Sequence, residues 1–139
     1  MPMQLSVERE VDELIEAARR TGALDDRRLR QRLVDALIGV HIMRSANLRV
    51  VSDLLDPRTD GSATTAAATA SKLFASTHHQ RLGELAVEIH GAEAVFSAAS
   101  GESELARKLF LLSRAETIYG GTSEIQRNII SERVLGLPR

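Results

Sequence analysis

Two consecutive glycines, Gly120 and Gly121, followed at once by Thr122 and Ser123, are the part of this 139-residue sequence best suited to chemistry. Glycine turns a chain sharply without steric penalty. Hydroxyls just beyond such a turn can cap a helix whose first N–H groups have no partner inside the helix. A helix start of that kind attracts anions and polarised carbonyl oxygens. The same Gly-Gly-Thr-Ser junction also reads as a plain turn and cap.

The other candidate groups read as structural. His78 and His79 are adjacent, so a helix points them about 100° apart and they cannot chelate one metal as residues one turn apart would. His78 shares a helix face with Phe74, Leu82 and Leu85 and reads as a packing histidine. His41 and His90 have no acidic partner at ligand spacing, and no metal site is assigned. Glu116 and Glu124 lie one helical turn to either side of Gly120, and both read as solvated carboxylates on long helices. Asn47 reads as an interhelical hydrogen-bonding group, and Arg127 and Arg133 as serving the last helix and an interface. The absence of cysteine excludes a thiolate zinc site, a disulfide framework and a cysteine nucleophile.

The elements that must position these groups are helical throughout. Val7, Val11, Leu14, Ile15 and Ala18 follow one helix face, with Ser6 as its cap and Gly22 at its end. Asp25 or Asp26 caps a long second helix through Leu29, Leu33, Leu37, Val40, Met43, Val50 and Leu54, stopped by the loop from Asp56 through Pro57, Thr59 and Asp60 to Gly61. Thr64 or Thr65 opens a third, whose small residues Ala66 to Ala70 permit close helix approach and which ends near Gly91. A loop through Ser97 and Gly101 leads to a fourth, capped by Ser103 and carrying Leu105, Leu109, Leu112 and Ile118. The last, with Ile125, Ile129, Ile130 and Val134, runs from Thr122 or Ser123 to Gly136. These periods predict an all-α protein, an antiparallel up-and-down helical bundle of the four-helix-bundle type with about five helices.

Composition narrows the class. At 43% hydrophobic and 27% charged residues, the length is that of one domain spanning residues 1–139, with no internal repeat. A formal net charge of −1 lacks the footprint of a non-specific nucleic-acid binder. No stretch approaches the roughly 18 apolar residues of a membrane span, and Met1 to Leu5 lack signal-peptide character, so a cytoplasmic location is expected. Only Lys72 and Lys108 among the 18 basic residues are lysine.

The string Arg114-Ala115-Glu116-Thr117-Ile118-Tyr119-Gly120-Gly121-Thr122-Ser123-Glu124-Ile125-Gln126-Arg127-Asn128-Ile129-Ile130 resembles the C-terminal signature of the acyl-CoA dehydrogenases, and the likeness continues through Glu132-Arg133-Val134-Leu135-Gly136-Leu137-Pro138-Arg139. Upstream, Ser71-Lys72-Leu73-Phe74 and Ala86-Val87-Glu88-Ile89-His90-Gly91-Ala92 look like further family segments. The likeness covers the whole chain and is densest after residue 70.

The resemblance implies the C-terminal helical domain of a FAD-dependent enzyme that desaturates acyl-CoA thioesters at the α,β bond. In that family a carboxylate removes the α-proton, the β-hydrogen leaves as hydride to the flavin, and electrons pass to an electron-transfer flavoprotein. Carried over by position, the Gly120 N–H would donate to the thioester carbonyl and Tyr119 would line the acyl pocket. Thr122, Ser123 and Glu124 would touch FAD at the start of the last helix. Glu88, Ile89, His90, Gly91 and Ala92 would serve the adenosine-pyrophosphate end of a neighbouring subunit's cofactor.

Many members carry their catalytic Glu where this sequence has Gly120, so no catalytic residue is assigned, and Glu8-Arg9 is not taken as a substitute. A carboxylate at Glu88 or Glu124, where Gln is common, must be screened or turned away from a pyrophosphate. The chain is too short for the family's N-terminal helical and middle β domains, so it is expected to bind FAD only weakly and to be inactive alone. It is expected to assemble as a homo-oligomer, or as a hetero-oligomer with acyl-CoA dehydrogenase-type chains. The alternative is a non-catalytic assembly or regulatory helical-bundle subunit of a hetero-oligomer.

Overall fold

The computed structural model describes residues 2–58, 62–96 and 101–138. Among the described residues there are six α-helices and no strand: α1 (Pro2–Thr21), α2 (Arg27–Leu55), α3 (Ser62–His90), α4 (Ala92–Phe96), α5 (Glu102–Glu116) and α6 (Ser123–Ile129). A 3-10 turn (Ala23–Asp25) joins α1 to α2, and a π turn (Ile130–Val134) continues α6. The expected all-α helical bundle is the fold. Met1, Thr59, Asp60, Gly61, Ser97 and Arg139, which enter the reading above, lie outside the described residues.

The central element is α3, which packs against α1, α2, α5 and α6. The core is built from the apolar faces read in the sequence: Val7, Val11, Leu14 and Ala18 of α1, Leu29, Leu33, Val40 and Met43 of α2, and Leu82, Leu85 and Ile89 of α3. Each Val, Leu, Ile or Met side chain removed from water here stabilises the fold by roughly 1.5–3 kcal/mol. Leu37 and Leu109 pack partly buried against this core.

Several local expectations are corrected. α1 begins at Pro2, so Ser6 is inside the helix, where its hydroxyl donates to Glu10 Oε1 at 3.0 Å instead of capping. Of the two expected caps of α2, Asp26 is the one, its side chain accepting from the N–H groups of Arg28 and Leu29. α3 opens at Ser62, before Thr64 and Thr65. Gly101 occupies the cap position of α5, with no side-chain cap, and Ser103 is already helical. α4 interrupts what reads as a loop after Gly91.

α3 and α5 come into close contact at Gly83. A Cβ on Gly83 would stand 2.9 Å from the Phe110 Cα and 2.7 Å from the Ser113 Oγ. The apolar stripe of α5 and the turn after it is only partly covered: Leu105 and Leu112 on α5 and Ile118 beyond its end are exposed, as are Val34, Ile38 and Ile42 on α2.

Candidate functional site

The helix α5 closes at Glu116, and the chain turns through Gly120 and Gly121 into α6. Both glycines have left-handed backbones, with φ of +70° and +100°, which side chains rarely adopt. Thr122 caps α6, its Oγ1 accepting from the Ile125 N–H at 3.5 Å. The hydroxyl at position 122 therefore serves the backbone, as the plain turn-and-cap reading expects.

The carbonyls of this turn point inward. The Gln126 Nε2 donates to the Gly120 carbonyl at 2.8 Å, and the Lys72 Nζ donates to the Gly121 carbonyl at 2.6 Å and to the Glu116 carbonyl at 3.3 Å. Gln126 is buried, and Lys72 reaches across from the middle of α3. Among the described residues no acceptor takes the N–H of Gly120 or Gly121. Gly120 and Tyr119 are exposed. Burial and then the Glu116 carboxylate push the Tyr119 phenol above its ordinary pKa.

Glu116 is not the solvated carboxylate that its helix position suggested. It is 8% exposed, and its Oε2 hydrogen-bonds the Nδ1 of His79. On the opposite side the His79 Nε2 lies 2.8 Å from the Glu10 Oε2 on α1. With a carboxylate on each ring nitrogen, the imidazolium is the form that donates twice. Burial disfavours that charge, but the bonds to Glu10 and Glu116 outweigh it and hold the His79 pKa above the ordinary value. Burial likewise acts to raise Glu10, and its contacts with His79, Ser6 and Arg9 bring it below the usual carboxylate range. Both ring nitrogens are thus engaged in hydrogen bonds, and among the described residues no His, Asp and Glu group has the arrangement of a metal site.

His78 behaves as a packing histidine. Its ring stacks on Phe74 with centroids 5.9 Å apart, and burial, then the charges of His79 and Arg81, lower its pKa. Asn47 donates to the Gln4 Oε1 at 3.0 Å, joining α2 to α1 as its position suggested. Arg127 lies 3.9 Å from Glu124 within α6.

The stretch from Glu88 to Ala92 closes α3. Glu88 pairs with Arg28 at 2.6 Å and with Arg32. Burial opposes its charge, yet the two guanidiniums lower its pKa. Ile89 turns into the core at 5% exposure, while Gly91 and Ala92 are exposed, and a Cβ on Gly91 would meet nothing within 4 Å. Glu124 is exposed, and its own N–H and the Thr122 hydroxyl lower its pKa.

The structure does not bring the two stretches together. Lys72 sits at the level of the Gly121 carbonyl, and at about 1.5 Å per helical residue Glu88 is roughly 24 Å further along α3. Tyr119 to Glu124 and Glu88 to Ala92 therefore form two separate surfaces of one chain.

Four residues that shape these surfaces, Glu10, Lys72, His79 and Gln126, have no such role in the sequence reading. Two left a trace there: Glu10 shares the buried face of Val7 and Leu14 at helical spacing, and Lys72 is one of two lysines in an arginine-rich chain.

An all-helical bundle carrying this glycine turn defines a class, and residues 2–135 match the family described as the acyl-CoA dehydrogenase C-terminal domain. The chain belongs to that family. Among individual proteins it is 45% identical over 136 residues to acyl-CoA dehydrogenase IpdE1 of Mycolicibacterium smegmatis, covering 98% of this chain and 32% of that protein. It is 43% identical over 138 residues to acyl-CoA dehydrogenase IpdE1 of Mycobacterium tuberculosis, covering 98% and 34%. The chain thus spans about a third of the length of the curated relatives it matches. A crystal structure of the ChsE4-ChsE5 complex from Mycobacterium tuberculosis shares the fold, with a TM-score of 0.72 at 24% identity over 99% of this chain and 36% of the solved one.

Proposed function

We propose that this chain is the C-terminal helical domain of a FAD-dependent acyl-CoA dehydrogenase, which desaturates acyl-CoA thioesters at the α,β bond. Its roles are to meet the thioester carbonyl, to supply flavin-edge contacts and to form an oligomer interface. The observation that carries this reading is the Gly120–Gly121 turn, whose carbonyls are held by Lys72 and Gln126 while its amide N–H groups have no acceptor among the described residues. Donors preorganised in that way stabilise the oxyanion character that develops on a thioester carbonyl as the α-proton leaves. Tyr119, beside the turn and exposed, would line the acyl side.

The residues present fit a flavin's edge. The Glu88 charge, unfavourable beside a pyrophosphate, is balanced by Arg28 and Arg32, and Gly91 leaves open space for close approach. Thr122, Ser123 and Glu124 would meet the cofactor on the other surface. With roughly 24 Å of helix α3 between the two surfaces, one chain would serve one cofactor with its glycine turn and a neighbouring chain's cofactor with the end of α3. A bound flavin supplies the acceptor for the β-hydrogen, and an electron-transfer flavoprotein would take the electrons onward.

No residue at the turn can act as the base. Gly120 has no side chain, Glu116 is held by His79, and Glu124 bonds locally on exposed α6. The base would come from a further part of the protein or from a partner chain, and the chain alone would be inactive. That same arrangement is what favours the second reading, an assembly subunit completing a partner's site. The exposed apolar faces of α2 and α5 suit a partner of the acyl-CoA dehydrogenase type, whether a second copy or a different chain.

The test is a visible spectrum of the purified 139-residue chain beside that of the assembly that contains it, followed by acyl-CoA addition. The expected result is a chain without flavin absorbance and an assembly whose flavin bleaches with acyl-CoA. A flavin-replete assembly that no acyl-CoA bleaches would refute the desaturase reading. Turnover insensitive to Gly120→Pro would select the assembly-subunit reading.

A further inference from the structure

We propose that Lys72 is a positioning residue for the thioester carbonyl site, acting with Gln126 through the backbone of the Gly120–Gly121 turn. This rests on the reading of that turn given above. The C=O and N–H of a trans peptide point in opposite directions. Gln126, by holding the Gly120 carbonyl at 2.8 Å, sets the plane that carries the Gly121 N–H, and Lys72, by holding the Gly121 carbonyl at 2.6 Å, fixes the backbone just after the Gly120 N–H that would meet the thioester. The ammonium also takes the Glu116 carbonyl at 3.3 Å, so one cation ties the last turn of α5 to the far side of the glycines.

The position of that cation is itself determined. Lys72 lies on α3 two helical turns before His79, and His79 is wedged between Glu10 of α1 and Glu116 of α5. The Glu116 carboxylate is anchored to the ring while its carbonyl receives the Lys72 ammonium. The end of α5 is therefore held at both its side chain and its backbone by one face of α3. Left-handed glycines have wide conformational freedom, so without these donors the peptide planes at positions 120 and 121 are free to rotate. The geometry points to a carbonyl-polarising site whose rigidity comes from α3 and not from the turn.

The experiment uses the flavin-replete assembly and an acyl-CoA with a 13C-labelled thioester carbonyl. The infrared shift of that carbonyl on binding reports its polarisation directly, and kcat and KM are measured alongside. In the unsubstituted assembly the carbonyl band should move to lower frequency; if it does not, the reading of the turn fails and this inference with it. Given that shift, Lys72→Met should lose most of it and lower kcat by about a hundredfold with little change in KM, the scale of a misplaced catalytic geometry. Lys72→Arg, which keeps a cationic donor, should restore kcat to within about tenfold. A Lys72→Met assembly that retains flavin, the full carbonyl shift and kcat overturns the inference while leaving the function intact. If the Met variant does not assemble, Gln126→Met removes the other donor: a reduced shift supports the inference, and an unchanged shift overturns it.

Discussion

The His79 Nε2 sits 2.8 Å from the Glu10 Oε2, joining the centre of α3 to α1. With Glu116 on the other ring nitrogen, the protonated imidazole ties three helices together at one buried point. The resulting stability depends on pH in a defined direction. The folded-state pKa of His79 is raised from 6.5, so its contribution is fully present below that value and is lost as pH rises through the raised one. The folded-state pKa of Glu10 is lowered from 4.5, so its contribution is present above that value and is lost as pH falls through the lowered one. Unfolding free energy measured in urea should therefore be greatest between the two values. His79→Ala should lower that maximum by about 3 kcal/mol, because two carboxylates are left without their cation. The decline on the alkaline side should flatten in the variant. An equal decline in both proteins would show that the pair does not carry the pH dependence.

Gly83 is where the backbones of α3 and α5 meet. In an exposed helix, Gly→Ala gains about 1 kcal/mol. Here the new methyl would lie 2.9 Å from the Phe110 Cα, a backbone atom that cannot rotate away. Gly83→Ala should destabilise the protein by about 1–3 kcal/mol despite the gain in propensity. Thermal unfolding that is unchanged or improved would place the contact elsewhere.

The two glycines of the turn should respond differently to alanine. A Cβ on Gly120 finds its nearest neighbour, the Lys72 Cε, at 3.7 Å, so the penalty is the left-handed backbone alone, about 1–2 kcal/mol. A Cβ on Gly121 would lie 2.7 Å from the Gln126 Nε2 and would displace the bond to the Gly120 carbonyl as well. Gly121→Ala should therefore be the more destabilising by about 1 kcal/mol, the net value of one hydrogen bond. Paired denaturation curves decide the order.

Asp26 and Ser6 test which cap is real. Asp26→Ala should lose about 1 kcal/mol, since the Asp26 Oδ1 accepts from the Arg28 N–H at 2.7 Å. Ser6→Ala, inside α1, should change stability by less than about 0.5 kcal/mol. A larger loss at Ser6 would mean that α1 begins where the sequence alone suggested.

Glu88→Gln removes a negative charge from the surface proposed to meet a pyrophosphate and frees Arg28 and Arg32 for it. Fluorescence titration of the flavin-depleted assembly should show FAD binding about fivefold tighter, the scale of one solvated charge contact at close range. Weaker binding would mean that the carboxylate orients the two arginines rather than competing for them.

The helices themselves were legible because apolar residues recur at helical spacing and the stops at Gly22, Pro57 and Gly91 are local signals. The faces from Val7 to Ala18 and from Leu29 to Met43 are buried much as their periodicity requires. Boundaries were less legible: Ser6 and Ser103 have the chemistry of caps, but each lies inside a helix that extends beyond it. The stripe through Leu105, Leu112 and Ile118 reads as core and is exposed, because periodicity reports an apolar face without reporting what covers it.

The string from Arg114 to Ile130 placed the glycine turn and its family by residue type and order alone, and glycine is the residue best suited to the left-handed backbone there. What holds that turn was decided by tertiary structure. Lys72 and Gly121, or Glu10 and His79, are far apart in sequence and share no spacing rule. Their hydrogen bonds exist only once α1, α3 and α5 pack side by side. The same packing turned Glu116 from a solvated carboxylate into a buried one, because a polar residue's environment is set by the helix that packs over it rather than by its own helix.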